Sequence, residues 1–429
     1  MFRKFLIISS ILVSGISNAQ IGPVGPGDGI ILQPQLGVVL DFLTGNPATQ
    51  TCTTAPNGGL MDLGTYTRGT TAYNDWGSDL PSSITQCSSG NARFNLRGYI
   101  AEPQTFNEVT QSETMDNAAW AAANVTVTAN STTAPNGTVT AETLAGTANG
   151  GLITSTAVVS ANSIYTASVY AKVASGTQAF DLVYFDNTGS TTRCSVTGGV
   201  ATTQWQRFQC TDTTAVTVSH NLLLRIYPGQ TTGTGTIIAW GAQLEVSNYA
   251  TTYAPTTTVR LAHNTDVLWF QNPMGTTELN SGYGWCVATD YTPPPTTNDW
   301  ALAALTQGLW EMSSGTHNTA NNAEAYVKSA GTMSLDVRDT TNTIRTFNVT
   351  KPSTGKHRVA WCIDQTGTTG VTMYLDGASQ SVSNTGTGTA IQSAMPTRLY
   401  YGILTSSSAA GGTVANLKVS RYHTVGASL

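Results

Sequence analysis

Apolar and polar side chains alternate with period two through much of this chain. The runs Asn124–Thr128, Ile164–Ala171, Ala179–Phe185, Asn221–Tyr227 and Thr236–Val246 follow that pattern and are separated by turns rich in Gly, Asn and Ser. Successive side chains on a strand face opposite sides, so each run predicts a half-buried strand, and short strands joined by tight turns predict a two-sheet sandwich or jelly roll. The same pattern returns after Val259 in Val267–Phe270, Gly284–Thr289, Ala301–Leu305, Gly308–Met312, Glu324–Val327, Thr332–Val337, Thr343–Val349, His357–Ile363, Val371–Leu375, Arg398–Tyr401 and Val414–Tyr422. Asp376-Gly377, directly after Met373-Tyr374-Leu375, has the chemistry of a tight hairpin turn. No amphipathic stretch exceeds two helical turns, and Asp116–Ala123 reads as a short Ala-rich turn. The pattern predicts an all-β chain built as tandem antiparallel β-sandwiches.

Composition narrows the function classes. Lys and Arg number 19, Asp and Glu 24, so charged residues make up 10% of the chain and the formal charge is −5. Average soluble domains carry roughly 25% charged residues. Without a Lys/Arg cluster in the mature chain nothing displaces counterions from a phosphate backbone, so no nucleic-acid partner is expected, and an anionic membrane surface is disfavoured for the same reason. Hydrophobic residues at 40% suffice for a core and argue against disorder. The remainder is largely Thr, Ser, Ala, Asn and Gly, residues of strands and turns.

Arg3 and Lys4, the apolar run from Phe5 to Ile16 and the small residues Ser17-Asn18-Ala19 have the layout of a secretory signal, assigned to residues 1–19. The run is broken by serines and is short for a membrane span. Residues 20–35, rich in Pro and Gly, read as a linker. Residues 36–109 read as a turn-rich N-terminal docking region, 110–258 as the first sandwich and 259–429 as the second. Six cysteines fit an oxidising compartment. One bridge per module is the simplest scheme, Cys52 with Cys87, Cys194 with Cys210 and Cys286 with Cys362, although six cysteines allow 15 pairings. The histidines (His220, His263, His317, His357, His423) are scattered without ligand spacing and no C-x-x-C occurs, so no zinc motif is read.

A resemblance enters with Glu102, Asn107-Glu108, Gln111-Ser112-Glu113, Asn117-Ala118-Ala119-Trp120 and Asn124–Asn130, followed by Tyr165–Lys172, Trp205–Phe208, Arg225–Gly229 and Ala239–Val246. In this order they resemble the carbohydrate-binding-like jelly-roll modules of bacteriophage virion proteins. Leu40–Gly45, Tyr66-Thr67-Arg68 and Ala92-Arg93-Phe94 resemble the lead-in that such proteins carry. Arg358–Trp361, Met373–Gly377 and Leu417–Tyr422 are similar to laminin-G-like, concanavalin-like sandwiches. The resemblance implies a jelly roll followed by a concanavalin-like sandwich, in a virion-surface protein of the head-spike, decoration or tail-fibre kind. It further implies glycans and other virion subunits as partners, and a homo-oligomer, for which a trimer is the usual state. Phage structural proteins usually assemble in the cytoplasm, so the export signal departs from this pattern. It leaves an exported bacterial adhesin of prophage origin open, placing the protein on a virion surface or secreted.

For catalysis, a glycosidase needs two facing carboxyl groups. In the last domain Asp336 and Asp339 lie three apart, and Glu311 has no acidic neighbour in the sequence. A nucleophile elbow and a phosphate-binding loop are absent, so no catalytic residue is assigned and no enzyme is expected. A purely structural virion subunit and a polysaccharide-degrading enzyme are the alternatives. Sugar binding calls for exposed aromatic faces with planar hydrogen-bonding groups. Trp120, Trp205, Trp240 and Trp361 stand in alternating runs and are expected in the core. Tyr170, Tyr184, Arg225 and Tyr227 are the glycan-binding candidates of the first sandwich, because shorter apolar residues of opposite parity are at hand to fill its core. Tyr291 and Trp300, flanking the Pro293-Pro294-Pro295 loop, are the candidates of the second. No cofactor is required; structural calcium is common in both families, and Asp116, Glu142 and Glu245 are the carboxylates that offer it ligands.

Overall fold

The computed structural model describes residues 38–40, 51–53, 64–74, 84–95, 98–155, 163–213, 220–231, 233–271, 284–293, 307–314, 316–328, 331–352, 355–363, 370–387, 398–403 and 412–422. The signal and linker assigned to residues 1–35, and the expected strand Ala301–Leu305, lie outside them. Every described element is a strand, and every ladder is antiparallel. Residues before the jelly roll form β1 (Val38–Leu40), β2 (Thr51–Thr53), β3 (Gly64–Thr67), β4 (Ala72–Asn74), β5 (Thr85–Cys87), β6 (Ala92–Asn95), β7 (Gly98–Ala101) and β8 (Thr105–Asn107). The jelly roll comprises β9 (Trp120–Thr132), β10 (Ala141–Ser155), β11 (Tyr165–Lys172), β12 (Gln178–Asp186), β13 (Thr191–Ala201), β14 (Gln206–Thr211), β15 (Leu222–Tyr227) and β16 (Gly235–Val246). Beyond it run β17 (Leu261–His263), β18 (Val267–Gln271), β19 (Gly284–Thr292), β20 (Gln307–Ser313), β21 (Ala323–Val327), β22 (Thr332–Arg338), β23 (Ile344–Thr350), β24 (His357–Ile363), β25 (Val371–Leu375), β26 (Ala378–Gln380), β27 (Ser383–Gly386), β28 (Arg398–Tyr401) and β29 (Gly412–Tyr422). The Ala-rich stretch expected as a turn divides: residues 111–119 turn, whereas Ala121–Ala123 extend β9 and pair with Gly151–Ile153 of β10.

The last sandwich consists of a nine-stranded sheet ordered β2-β6-β7-β29-β19-β24-β25-β26, with β1 also on β29, and an eight-stranded sheet ordered β27-β23-β22-β21-β20-β28-β18-β3. Trp285, Val287, Tyr291 and Trp361 from the first meet Trp310, Met312, Leu335 and Phe347 from the second in one core. The Trp285 and Trp310 rings meet edge to face at 5.8 Å. Asp376 and Gly377 both take positive φ, 50° and 84°, as the hairpin between β25 and β26 demands.

Residues 36–109, expected as a separate docking region, give β1, β2, β6 and β7 to one sheet of this sandwich and β3 to the other. The jelly roll is therefore inserted into a sandwich that starts before it and finishes after it. The chain enters through β8 and leaves through β17, and these two strands pair with each other.

Within the jelly roll the sheet order is β13-β12-β15-β10-β16-β11-β14, with β9 on β10. Its two end strands are bridged by Cys194–Cys210, with Cα atoms 5.7 Å apart, which closes the curled sheet on itself. Parity sets the inside: Phe180, Leu182 and Tyr184 of β12 and Leu222, Leu224 and Ile226 of β15 point into the core. A bulge interrupts β16, where Ser168 and Tyr170 of β11 pair with Gln243 and Trp240. Gly241 sits in it at φ +64°. The bulge lets Ala239 and Leu244 face the inner core while Trp240 turns outward, into a second cluster with Tyr73, Ile84, Tyr170, Trp205 and Tyr253. Cys286–Cys362 joins directly paired positions of β19 and β24. Cys87 is also disulfide-bonded; the side chain of Cys52, its expected partner, lies outside the described residues.

A buried ionic junction ties the insertion to its host. Arg93 of β6 donates from Nη2 to Glu102 at 2.9 Å and to Asp266, and from Nη1 to the Tyr73 carbonyl at 3.0 Å and to the Thr252 hydroxyl. Glu102 accepts from the Thr252 amide at 2.8 Å and Arg68 donates to Asp266 at 3.1 Å. The side chains of Arg68, Arg93, Glu102 and Asp266 have no solvent exposure. Burial alone would raise the Asp266 carboxyl, but Arg93, His263 and Arg68 outweigh it and hold it below the usual carboxylate range.

Candidate functional site

The jelly roll turns a second face, opposite its core, out from β13, β12, β15, β10 and β9. On β15 the residues of outward parity are Leu223, Arg225 and Tyr227, and on β12 they are Asp181, Val183 and Phe185. Arg225 pairs with Val183 on one side and Ile153 on the other, and Tyr227 pairs with Asp181. The Arg225 guanidinium lies 3.7 Å above the centroid of the Phe185 ring, a close cation–π stack. Beside it the Tyr227 ring lies over Gly151, where a Cβ would come within 2.7 Å of two ring carbons. Glycine is what allows that ring to lie flat. Arg225, Tyr227, Phe185 and Ile153 are each half-buried, while Val183 and Leu223 form a buried apolar floor. The carboxylate on this face is committed: Asp181 accepts from the Gly198 amide at 2.7 Å and the Thr231 amide at 3.0 Å. The arrangement offers aromatic surface, a flat floor and a planar set of N–H donors side by side.

Two glycan candidates from the sequence, Arg225 and Tyr227, thus share one accessible face. Three others do not reach a surface. Tyr184 has the parity of Phe180 and Leu182 and lies in the jelly-roll core, fully buried. Tyr170 does point away from that core, but the second cluster covers it, with the Trp240 ring 5.6 Å away and 1% of it exposed. Tyr291 is buried in the core of the last sandwich, where its hydroxyl faces Gln307. Parity predicted the outward side for Tyr170, Arg225 and Tyr227 but put Tyr184 on the wrong side of β12, and it did not show that another segment covers Tyr170. Trp300 lies outside the described residues. Trp120, Trp205, Trp240 and Trp361 are all buried, as their alternating runs predicted.

The three calcium candidates separate. Asp116 and Glu142 face each other, and burial together with Asp116 pushes the Glu142 carboxyl up to about 8. Glu245 stands apart and fully buried, accepting from Gln243 Nε2 at 2.7 Å, from the Thr251 amide at 2.9 Å and from the Thr251 hydroxyl. Its oxygens serve the fold, and burial pushes its carboxyl up to about 7.

Sequence reasoning missed a carboxylate pair. Glu311, read as lacking an acidic neighbour, pairs across β20 and β21 with Glu324, which pairs across to Asp336 of β22. The signal was present as a lone Glu within each apolar run, Trp310-Glu311-Met312 and Ala323-Glu324-Ala325. Burial first, then Glu311 and Asp336, push the Glu324 carboxyl up to about 8.

No family model and no curated protein matches this chain. Among solved structures it is similar to the CBM40 module of the Ruminococcus gnavus IT-sialidase bound to α2,3-sialyllactose, with 15% identity over 34% of this chain and 78% of that one, at a TM-score of 0.24. It is also similar to domains LG4-5 of the mouse laminin α1 chain, with 12% identity over 64% of this chain and 88% of that one, at a TM-score of 0.24. A third similarity is to the N-terminal CBM22 tandem of Paenibacillus barcinonensis Xyn10C, with 13% identity over 74% of this chain and 95% of that one, at a TM-score of 0.23.

Proposed function

We propose that this chain is a non-catalytic glycan-binding protein of a virion surface or of the extracellular space, with the face around Arg225 and Tyr227 as its sugar site. The observation that carries the reading is the Arg225–Phe185 stack beside Tyr227 on an apolar floor. Pyranose rings present an apolar face that packs on aromatic surface, and their hydroxyls or carboxylates take hydrogen bonds from a planar guanidinium. Both oxygens of the one carboxylate there, Asp181, are already used, which supports binding without bond cleavage. The Cys194–Cys210 and Cys286–Cys362 bridges support an exported setting. Assembly as a homotrimer and contacts with other virion subunits belong to the same proposal.

A glycan array probed with the purified protein tests it. Binding to at least one glycan is expected, and Arg225→Ala and Tyr227→Ala should each weaken it about tenfold or more, equivalent to roughly 1.4 kcal/mol, with the unfolding midpoint unchanged. Binding that both variants retain in full would refute the assignment of the site. A protein that binds no glycan, or that releases reducing ends from a polysaccharide, would refute the function.

A further inference from the structure

The outward face of the eight-stranded sheet of the last sandwich carries one continuous row of side chains. Directly paired positions run Trp269, Tyr400, Glu311, Glu324, Asp336 and Thr346 across β18, β28, β20, β21, β22 and β23. Three carboxylates therefore stand opposite one another mid-row. Like charges in direct cross-strand register destabilise a sheet, and water does little to screen these, because Glu311 is 0%, Glu324 4% and Asp336 7% exposed. His317, from the turn after β20, sits against two of them, its Nδ1 3.3 Å from Glu311 Oε2 and 3.0 Å from Glu324 Oε2. One donor atom from each of the three residues lies within 4.8 Å of the others.

Unmatched oxygens surround this group. Asn322, 1% exposed, turns its amide onto the cluster and donates to Glu311 Oε1 at 3.0 Å. Its Oδ1 accepts no hydrogen bond, and neither does Asp336 Oδ1, while Glu324 Oε2 has the His317 imidazole beside it. Buried polar atoms call for a partner, and a bound cation is one. A superficially similar trio, Glu102, His263 and Asp266, differs decisively, because Arg93 pairs with both carboxylates and Arg68 with Asp266.

We infer that Glu311, His317 and Glu324 form a binding site for a divalent transition-metal cation. The imidazole sets the class: calcium and magnesium select oxygen donors, whereas zinc and its neighbours accept nitrogen with carboxylate oxygen. Zinc holds such donors tetrahedrally at about 2.0–2.2 Å, which places the donors about 3.3 to 3.6 Å from each other. Small side-chain adjustments bring the observed spacings to that range. Bound there, the cation ties β20, β21 and the turn that carries His317 together and neutralises the paired carboxylates. This inference is independent of the glycan site.

The test uses the full chain without an affinity tag, stripped with chelator and titrated calorimetrically with zinc chloride, with calcium chloride in parallel. One equivalent of zinc is expected to bind, to raise the thermal midpoint, and to bind at least tenfold more tightly than calcium. His317→Ala and Glu324→Gln should each weaken zinc binding at least tenfold, while Tyr227→Ala leaves it unchanged. His317 is partly exposed on a turn, so its variant keeps the fold, which a far-ultraviolet circular-dichroism spectrum confirms. Stripped wild-type protein that takes up no zinc would overturn the inference. Undiminished zinc binding by His317→Ala would do the same.

Discussion

At the scale of single residues, Glu245 shows what a buried carboxylate does to stability. Burial is the largest influence on it and raises its folded value from 4.5 to about 7, although Thr251, Arg207 and Gln243 pull the other way. Between those two values the unfolded chain releases the proton that the folded chain keeps, so stability falls as pH rises through the window and levels off above it. The difference amounts to about 3 kcal/mol. Glu245→Gln should remove it: in urea unfolding at pH 4.5 and pH 8, the wild type should lose stability relative to the variant, and an equal change in both would contradict the account. The residues that alternation placed well are the four core tryptophans and the outward pair Arg225 and Tyr227. It failed for Tyr170 because a side chain's direction says nothing about what a distant segment lays over it, here Tyr73, Ile84 and Tyr253.

At the scale of elements, alternating runs with β-branched and aromatic residues were legible as strands, and Asp376-Gly377 as their hairpin. β10 was not, although it lies mid-sheet and pairs with β9, β15 and β16. Its sequence, Ala141–Ser155, is mostly Ala, Gly and Thr, and the glycine that weakens the strand signal is what admits the Tyr227 ring over Gly151. The Cys194–Cys210 pairing was legible from two neighbouring strand-like runs, but its role was not, since only the sheet order shows that it joins the two ends of a curled sheet. A bridge closing a loop of this size contributes about 3 kcal/mol in the chain-entropy account. Replacing both cysteines by alanine should lower stability by about that amount in denaturant melts, and a change below about 0.5 kcal/mol would mean that strand pairing alone holds the sheet closed.

At the scale of the whole molecule, the sequence divides at residues 109 and 258 while the last sandwich does not. Composition shifts mark where one pattern gives way to another, but the pairing of β7 with β29 or of β3 with β18 joins positions far apart in the chain, and period-two patterning does not encode which edge a strand joins. The junction at Arg93 has the same character: Glu102 is near it in sequence, whereas Thr252 and Asp266 reach it only through the fold. Removing the guanidinium leaves two buried carboxylates short of their cation, so Arg93→Met should cost about 3–5 kcal/mol at neutral pH. The loss should shrink in acid as Asp266, which the guanidinium holds below the usual carboxylate range, takes up a proton in the variant, and a variant as stable as wild type at pH 7 would show that the junction is dispensable. The central claim concerns the outward face of the jelly roll, and a crystal structure with a bound oligosaccharide from the array tests it most directly. The account predicts a sugar ring against Tyr227 and Phe185, with its polar groups on Arg225. Sugar bound elsewhere, or a second copy of the chain packed over that face, would contradict it.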